Sequence, residues 1–231
     1  MTKVIYFLFL IALSFATQSS VTLSEEIDPL ISRLFKFDGK KWGYLDLNEL
    51  AAADFSKVSP NPLVDPNRCD QWLLNKHEIH KMDFSFGGYL ENRKDLWRDH
   101  YLYPDTAIHL GVDYNVPENT KVYCPEDSTV AEVWWDPDQE GGWGGRVILK
   151  NKAGLYLVLA HLDPKIPVKP GDVVHRGDLI GVVGSAKVNG GWFPHLHAQA
   201  MHELVPGFDG YGHQSIDHRA KYPHPKSFII K

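Results

Sequence analysis

A mainly β protein, with an antiparallel sheet core behind an N-terminal extension of mixed structure, is the fold class this sequence predicts. Three observations carry it. Between residues 121 and 184 the chain repeats short runs rich in β-branched and aromatic residues: K-V-Y-C-P, T-V-A-E-V-W-W, R-V-I-L-K, L-Y-L-V-L-A-H, D-V-V and L-I-G-V-V-G. Gly-Asp, Gly-Gly and Pro-Gly pairs punctuate those runs, as turns between antiparallel neighbours require. Ahead of residue 103 the character changes, with an alanine-rich stretch and a proline cluster in place of evenly spaced strands.

In chain order, Lys3 precedes a 13-residue apolar run over 4–16, with Ser14 and Ala16 as small residues at cleavage spacing. Residues 1–16 are therefore expected to be a secretory signal, the run being shorter than the roughly 20 apolar residues of a membrane span. Residues 17–102 form the extension. Its aromatic-bearing stretch 31–47 predicts a short helix and a hairpin, and N-E-L-A-A-A-D-F at 48–55 predicts a helix, because alanine and leucine are strong formers. S-P-N-P-L-V-D-P-N at 59–67 reads as an extended connector, since proline biases the residue before it away from helix. H-E-I-H at 77–80 puts two histidines on one helical face, which surface polarity explains without a metal. In G-G-Y-L-E-N-R at 87–93, Glu91 and Arg93 read as a surface or half-buried ion pair. The extension would act as a small lobe, as a pro-region over a cleft or as packing around the sheet.

Residues 103–203 form the expected core. H-L-G-V-D at 109–113 reads as strand entering a loop, because Gly111 and the Y-N-V-P that follows oppose helix. D-P-D-Q-E-G-G-W-G-G at 136–145 is a loop, either a wall of a substrate groove or an ordinary hairpin end. His161 closes the run L-Y-L-V-L-A, where a buried strand would meet the edge of a cleft. N-G-G-W-F-P-H-L-H at 189–197 places a histidine pair where a strand leaves a loop. Residues 204–231 read as a loop-like tail in which His213, His218 and His224 are solvated.

The bulk chemistry narrows the function. A formal charge of −5 and a pI near 6.2, with no stretch dominated by lysine and arginine, give no electrostatic footprint for nucleic acid. Cys69 and Cys124 are too far apart for a C-x-x-C motif; export to an oxidising compartment would allow them to pair, and two unpaired buried thiols are the alternative.

Among the 12 histidines, spacing singles out a few. Residues four apart, like His109 and Asp113, share a face of a helix or a strand, and residues two apart, like His195 and His197, share a face of a strand. Catalytic zinc takes three nitrogen or oxygen ligands and keeps one position open. His109, Asp113 and one of the two late histidines fill three places.

This ordered set resembles the M23 family of zinc endopeptidases, the lysostaphin-like and LytM-like enzymes that cut peptide bridges of bacterial cell walls. The similarity extends through P-E-N-T-K-V-Y-C-P-E-D-S-T-V at 117–130 and V-K-P-G-D-V-V-H-R-G-D-L-I-G-V-V-G at 168–184. It implies an M23-type antiparallel sheet, one zinc ion on His109, Asp113 and His197, and catalytic assistance from His161 and His195. The implied substrate is the peptide cross-link of peptidoglycan, and the implied location is secreted or periplasmic. The H-E-x-x-H motif and its glutamate base are absent, so histidine is the natural proton acceptor. Which of His161 and His195 takes that role is left open by spacing. An exported M23-fold binding or signalling module with structural zinc is the rival reading, and an amidase acting on the same wall a second.

Overall fold

The computed structural model describes residues 28–99, 107–138, 142–204 and 222–230. The expected signal segment 1–16 and the histidines at 213 and 218 lie outside the described residues. No helix among the described residues is long and apolar enough to cross a membrane.

The extension begins with a single helical turn, α1 (Ile31–Leu34), followed by strand β1 (Trp42–Tyr44). Helix α2 (Leu47–Phe55) starts where Asp46 accepts a hydrogen bond from the Glu49 amide at 2.7 Å, covering a donor that the helix leaves unpaired. The expected connector contains a short 3-10 helix (Pro62–Val64) and then launches α3 (Pro66–Ile79), with Pro66 at its first position and Asp65 accepting from the Asn67 and Arg68 amides. Proline thus opens these elements rather than interrupting them. Strand β2 (Phe84–Gly87) follows. It pairs with β1 in parallel, so the expected hairpin gives way to two strands separated by two helices.

Next come β3 (Val112–Asn115), β4 (Lys121–Tyr123), β5 (Ser128–Asp136), β6 (Gly144–Asn151), β7 (Tyr156–Leu162), β8 (Val173–Val174), β9 (Leu179–Val182) and β10 (Leu196–Met201). Each expected β run is a strand. Among the described residues one sheet has the order β1-β2-β3-β10-β7-β6-β5-β8, and β4 pairs with β9 separately. The pairings are antiparallel apart from β1 with β2, so the large sheet is mixed. The extension therefore adds two strands to the edge beside β3, which favours packing around the sheet over a detached lobe.

Alternation along the central strands separates two faces. Val112, Tyr114, Leu157, Leu159, Leu196, Ala198 and Ala200 belong to one large apolar cluster with Val147 and Leu149. Asp113, His197 and Gln199 occupy the intervening positions and point to the other face, where Ile148, Val158, Ala160 and Met201 form a smaller cluster. Each large aliphatic side chain buried this way contributes about 1.5–3 kcal/mol. A third cluster joins α2 and α3, through Leu47, Leu50, Cys69, Trp72 and Leu73, to Leu96, Trp97, Trp192 and Phe193. The loop before β10 is thus seated on the extension.

Several expectations change in detail. The chain enters β3 from a loop, the reverse of the expected order, and His109 and Leu110 precede the strand. Cys69 and Cys124 are free and buried, in different clusters, and are not bridged. The last described segment ends in a 3-10 helix (Pro225–Phe228) whose Phe228 is fully buried in the main cluster, with its carbonyl accepting from Asn151 at 2.8 Å. His224 is half-buried rather than solvated. It accepts from the Lys226 amide, and its ring packs on Tyr89.

Candidate metal centre

Asp113 on β3 stands directly across from His197 on β10, in register. His109 reaches them from the loop before β3, held by backbone hydrogen bonds with the extension: its amide donates to the Glu91 carbonyl, and its carbonyl accepts from the Leu90 amide. Gly111 makes room for the arrangement, because a Cβ there would lie 2.7 Å from His197 Nε2.

The three side chains are buried, and their ligand atoms face one another. His109 Nε2 lies 2.9 Å from His197 Nδ1, and Asp113 Oδ1 lies 3.0 Å from His197 Nδ1 and 3.3 Å from His109 Nε2. The outward ring nitrogens assign the tautomers. His109 Nδ1 faces the Gly88 carbonyl at 3.0 Å and His197 Nε2 faces Gln199 Oε1 at 3.2 Å, so each donates its proton there. Both inward nitrogens are then bare lone pairs turned toward a carboxylate oxygen. Three electron-pair donors packed together without a shared proton repel one another unless a cation lies between them. Zinc bonds of about 2.0–2.1 Å in a tetrahedron separate neighbouring ligands by about 3.3 Å, so the donor set fits that ion.

Electrostatics agree with that donor set. Burial pushes the His109 imidazole down to about 3, helped by the Arg93 guanidinium, so the ring is neutral. Burial alone would raise the Asp113 carboxyl, but the Arg93 guanidinium beside it holds it well below the usual carboxylate range.

His161 and His195 flank the three donors. His195 Nδ1 donates to the Phe193 carbonyl at 2.7 Å, which leaves Nε2 bare and 3.9 Å from Asp113 Oδ1. Burial lowers its pKa and holds that of His161 well below the ordinary value. His161 packs against the His195 ring at 4.4 Å and stacks on Trp143 at 5.7 Å, and its Nδ1 has no partner among the described residues. Its backbone explains its direction. Alternation from Leu157 and Leu159 would send residue 161 into the main cluster, but a φ of +64° reverses the pleat, so Leu162 enters that cluster and His161 turns to the site. A left-handed histidine costs about 1–3 kcal/mol, a strain that recurs at functional sites.

The structure therefore gathers the five expected residues at one place on the sheet. H-E-I-H does not join them: His77 is buried and shares a 2.7 Å hydrogen bond with Ser85 Oγ, so it is a core residue rather than surface polarity. The expected Glu91–Arg93 ion pair forms, but it is buried rather than at the surface or half-buried, and sequence reasoning missed its link to Asp113. Arg93 Nη1 donates to Asp113 Oδ2 at 2.5 Å and its Nε to Glu91 Oε2 at 2.8 Å. It also missed Gln199, although its place two residues after His197 on one strand face would have marked it. No comparable signal links Arg93 to Asp113. Of the loop at 136–145, Trp143 borders the site, which favours a groove wall over a plain hairpin end.

Residues 107–209 match the family described as peptidase family M23. An "Uncharacterized metalloprotease" of Haemophilus influenzae is 37% identical over 89 residues, 38% of this chain and 18% of that protein. The "DD-carboxypeptidase/endopeptidase Mpg" of Neisseria meningitidis serogroup B is 30% identical over 104 residues, 45% of this chain and 22% of that protein. The chain spans about a fifth of the length of the curated relatives it matches. The solved catalytic domain of lysostaphin from Staphylococcus simulans is 28% identical, with 63% of this chain and 92% of that chain covered and a TM-score of 0.41. The match to the peptidase family M23 takes in His109, Asp113, His161, His195 and His197, over somewhat less than half of the chain.

Proposed function

We propose that this chain is an exported zinc metallo-endopeptidase that hydrolyses the peptide cross-links of bacterial peptidoglycan. One observation carries the reading. Three buried side chains, His109, Asp113 and His197, turn ligand atoms toward one another at 2.9–3.3 Å, and two further histidines border them without joining the set. A purely structural metal site would not need the second pair.

When bound, zinc supplies Lewis acidity, polarising a carbonyl and making water acidic near neutral pH. The chain's own residues handle the protons. His195 is the proton acceptor, because the Phe193 carbonyl fixes its Nδ1–H and leaves the Nε2 lone pair turned to the site. His161 offers Nδ1, which as N–H donates to the scissile carbonyl oxygen as negative charge builds on it. Trp143 stacked on His161 keeps that ring in place and shields it from water. The Neisseria relative's name, a DD-carboxypeptidase/endopeptidase, supports peptide bonds of the wall as the substrate class. The apolar run over 4–16 supports export to where that substrate lies.

Substitution separates the roles. His161→Ala and His195→Ala are expected to keep stoichiometric zinc and lose hydrolysis of purified muropeptides by about 10²–10⁴-fold, whereas His109→Ala or Asp113→Ala loses both. A His161→Ala chain that cleaves as fast as the wild type would sink the assignment. Mass spectrometry of the new termini in walls of defined cross-link type identifies the bond, and zinc-loaded wild type that cuts none of them would favour a binding module.

A further inference from the structure

We infer that residues 88–93, which precede the family match, are the outer support of the metal centre, with Arg93 as the positioning residue of Asp113. The inference rests on the zinc reading above and extends it to a part of the chain outside the family match.

Two of the three donors lean on this short segment. The Gly88 carbonyl takes the Nδ1 proton of His109, which turns Nε2 inward. Gly88 has a φ of +96°, and a Cβ there would come within 2.7 Å of His109 Nδ1, so the close approach depends on glycine. Arg93 acts on Asp113. By holding Oδ2, the guanidinium leaves Oδ1 alone to face the two imidazoles, so the carboxylate is presented through a single oxygen. Arg93 is itself fixed: Glu91 accepts from its Nε, the Ala107 carbonyl accepts from its amide, and its guanidinium lies 5.2 Å from the Trp97 ring centroid.

The support continues into α2. The Asn48 amide donates to Glu91 Oε1 at 3.0 Å, and Asn48 Oδ1 accepts from the Asp95 and Leu96 amides. An unbroken line of hydrogen bonds thus runs from helix α2 through Glu91 and Arg93 to Asp113. All four side chains are at least half-buried, and solvent does not screen Glu91, Arg93 or Asp113.

Charge and geometry predict opposite outcomes for removal of Arg93. A guanidinium next to a cation site repels the cation, so an arginine that acted only through charge would weaken metal binding, and its loss would tighten it. An arginine that positions the carboxylate strengthens binding, and its loss loosens it. Outer partners of metal ligands characteristically change metal affinity by about 10–100-fold.

The test uses the full chain. Arg93→Gln and Arg93→Lys are compared with wild type for zinc affinity, by competition with a chromophoric chelator, and for the visible spectrum of the cobalt-substituted protein. The expected result is zinc affinity reduced about 10–100-fold in Arg93→Gln, less in Arg93→Lys, and a cobalt spectrum altered in both as Asp113 gains freedom to offer two oxygens. Tryptophan fluorescence of the metal-free chains reports folding, and if Arg93→Gln does not fold, Arg93→Lys decides alone. Unchanged or tighter zinc binding with an unchanged cobalt spectrum overturns the inference and leaves the metal centre standing. Wild type that binds neither ion overturns both.

Discussion

At the scale of single residues, close approach explains more of the site than composition does. Gly111 sits where any Cβ would lie 2.6 Å from the Ala198 carbonyl and 2.7 Å from His197 Nε2. Gly111→Ala must therefore displace the β10 backbone or the imidazole ring, and zinc affinity is expected to fall at least about tenfold, as read by chelator competition. His77 offers a separate test, remote from the metal ligands in the hydrogen-bond network. Burial pushes it down to about 4 from 6.5, so it is neutral when folded. Below pH 6.5 the unfolded chain binds the proton and the folded one does not, so stability falls as pH drops from 6.5 to 4 and levels off below that. Urea denaturation should show His77→Gln losing about 2 kcal/mol less than wild type between pH 7 and pH 5.

At the scale of elements, the extension is built from local signals legible in the residues themselves. Asp46 and Asp65 cap α2 and α3, and the alanines at 51–53 favour α2. Asp65→Ala removes an acceptor for two amides and should cost about 1 kcal/mol, measured as a Tm shift of about 2–4 °C. The expected hairpin failed for a physical reason. Local composition specifies that a stretch is extended, but not which strand it pairs with, and β1 pairs across two helices with β2. Proline at 62 and 66 misled in a similar way, since its missing N–H is harmless at the first position of a helix.

At the scale of the molecule, the extension and the family segment share one sheet through β2 and β3, and they share an apolar cluster through Trp192 and Phe193. Thermal unfolding should be a single transition, with calorimetric and van't Hoff enthalpies in agreement, and Asp65→Ala should shift the whole transition. Two separate transitions in calorimetry would contradict that coupling. If the proposed zinc site forms only where all three donors meet, zinc at 100 times its dissociation constant should add about 2.7 kcal/mol to stability. Chelation should remove that increment in wild type but not in Asp113→Ala.

From the sequence alone came the donor types, their spacing and the strands that carry them: His109 and Asp113 four apart, His195 and His197 two apart, His161 at the end of an apolar run. Those features are local, and the periods of helix and strand make them readable. Only the tertiary structure decided which way the side chains turn and what stands behind them. The left-handed φ of His161 reverses an alternation that would have buried it, and Arg93 meets Asp113 across twenty residues of chain. Neither is written in spacing, because each results from packing between segments that the sequence does not say are neighbours.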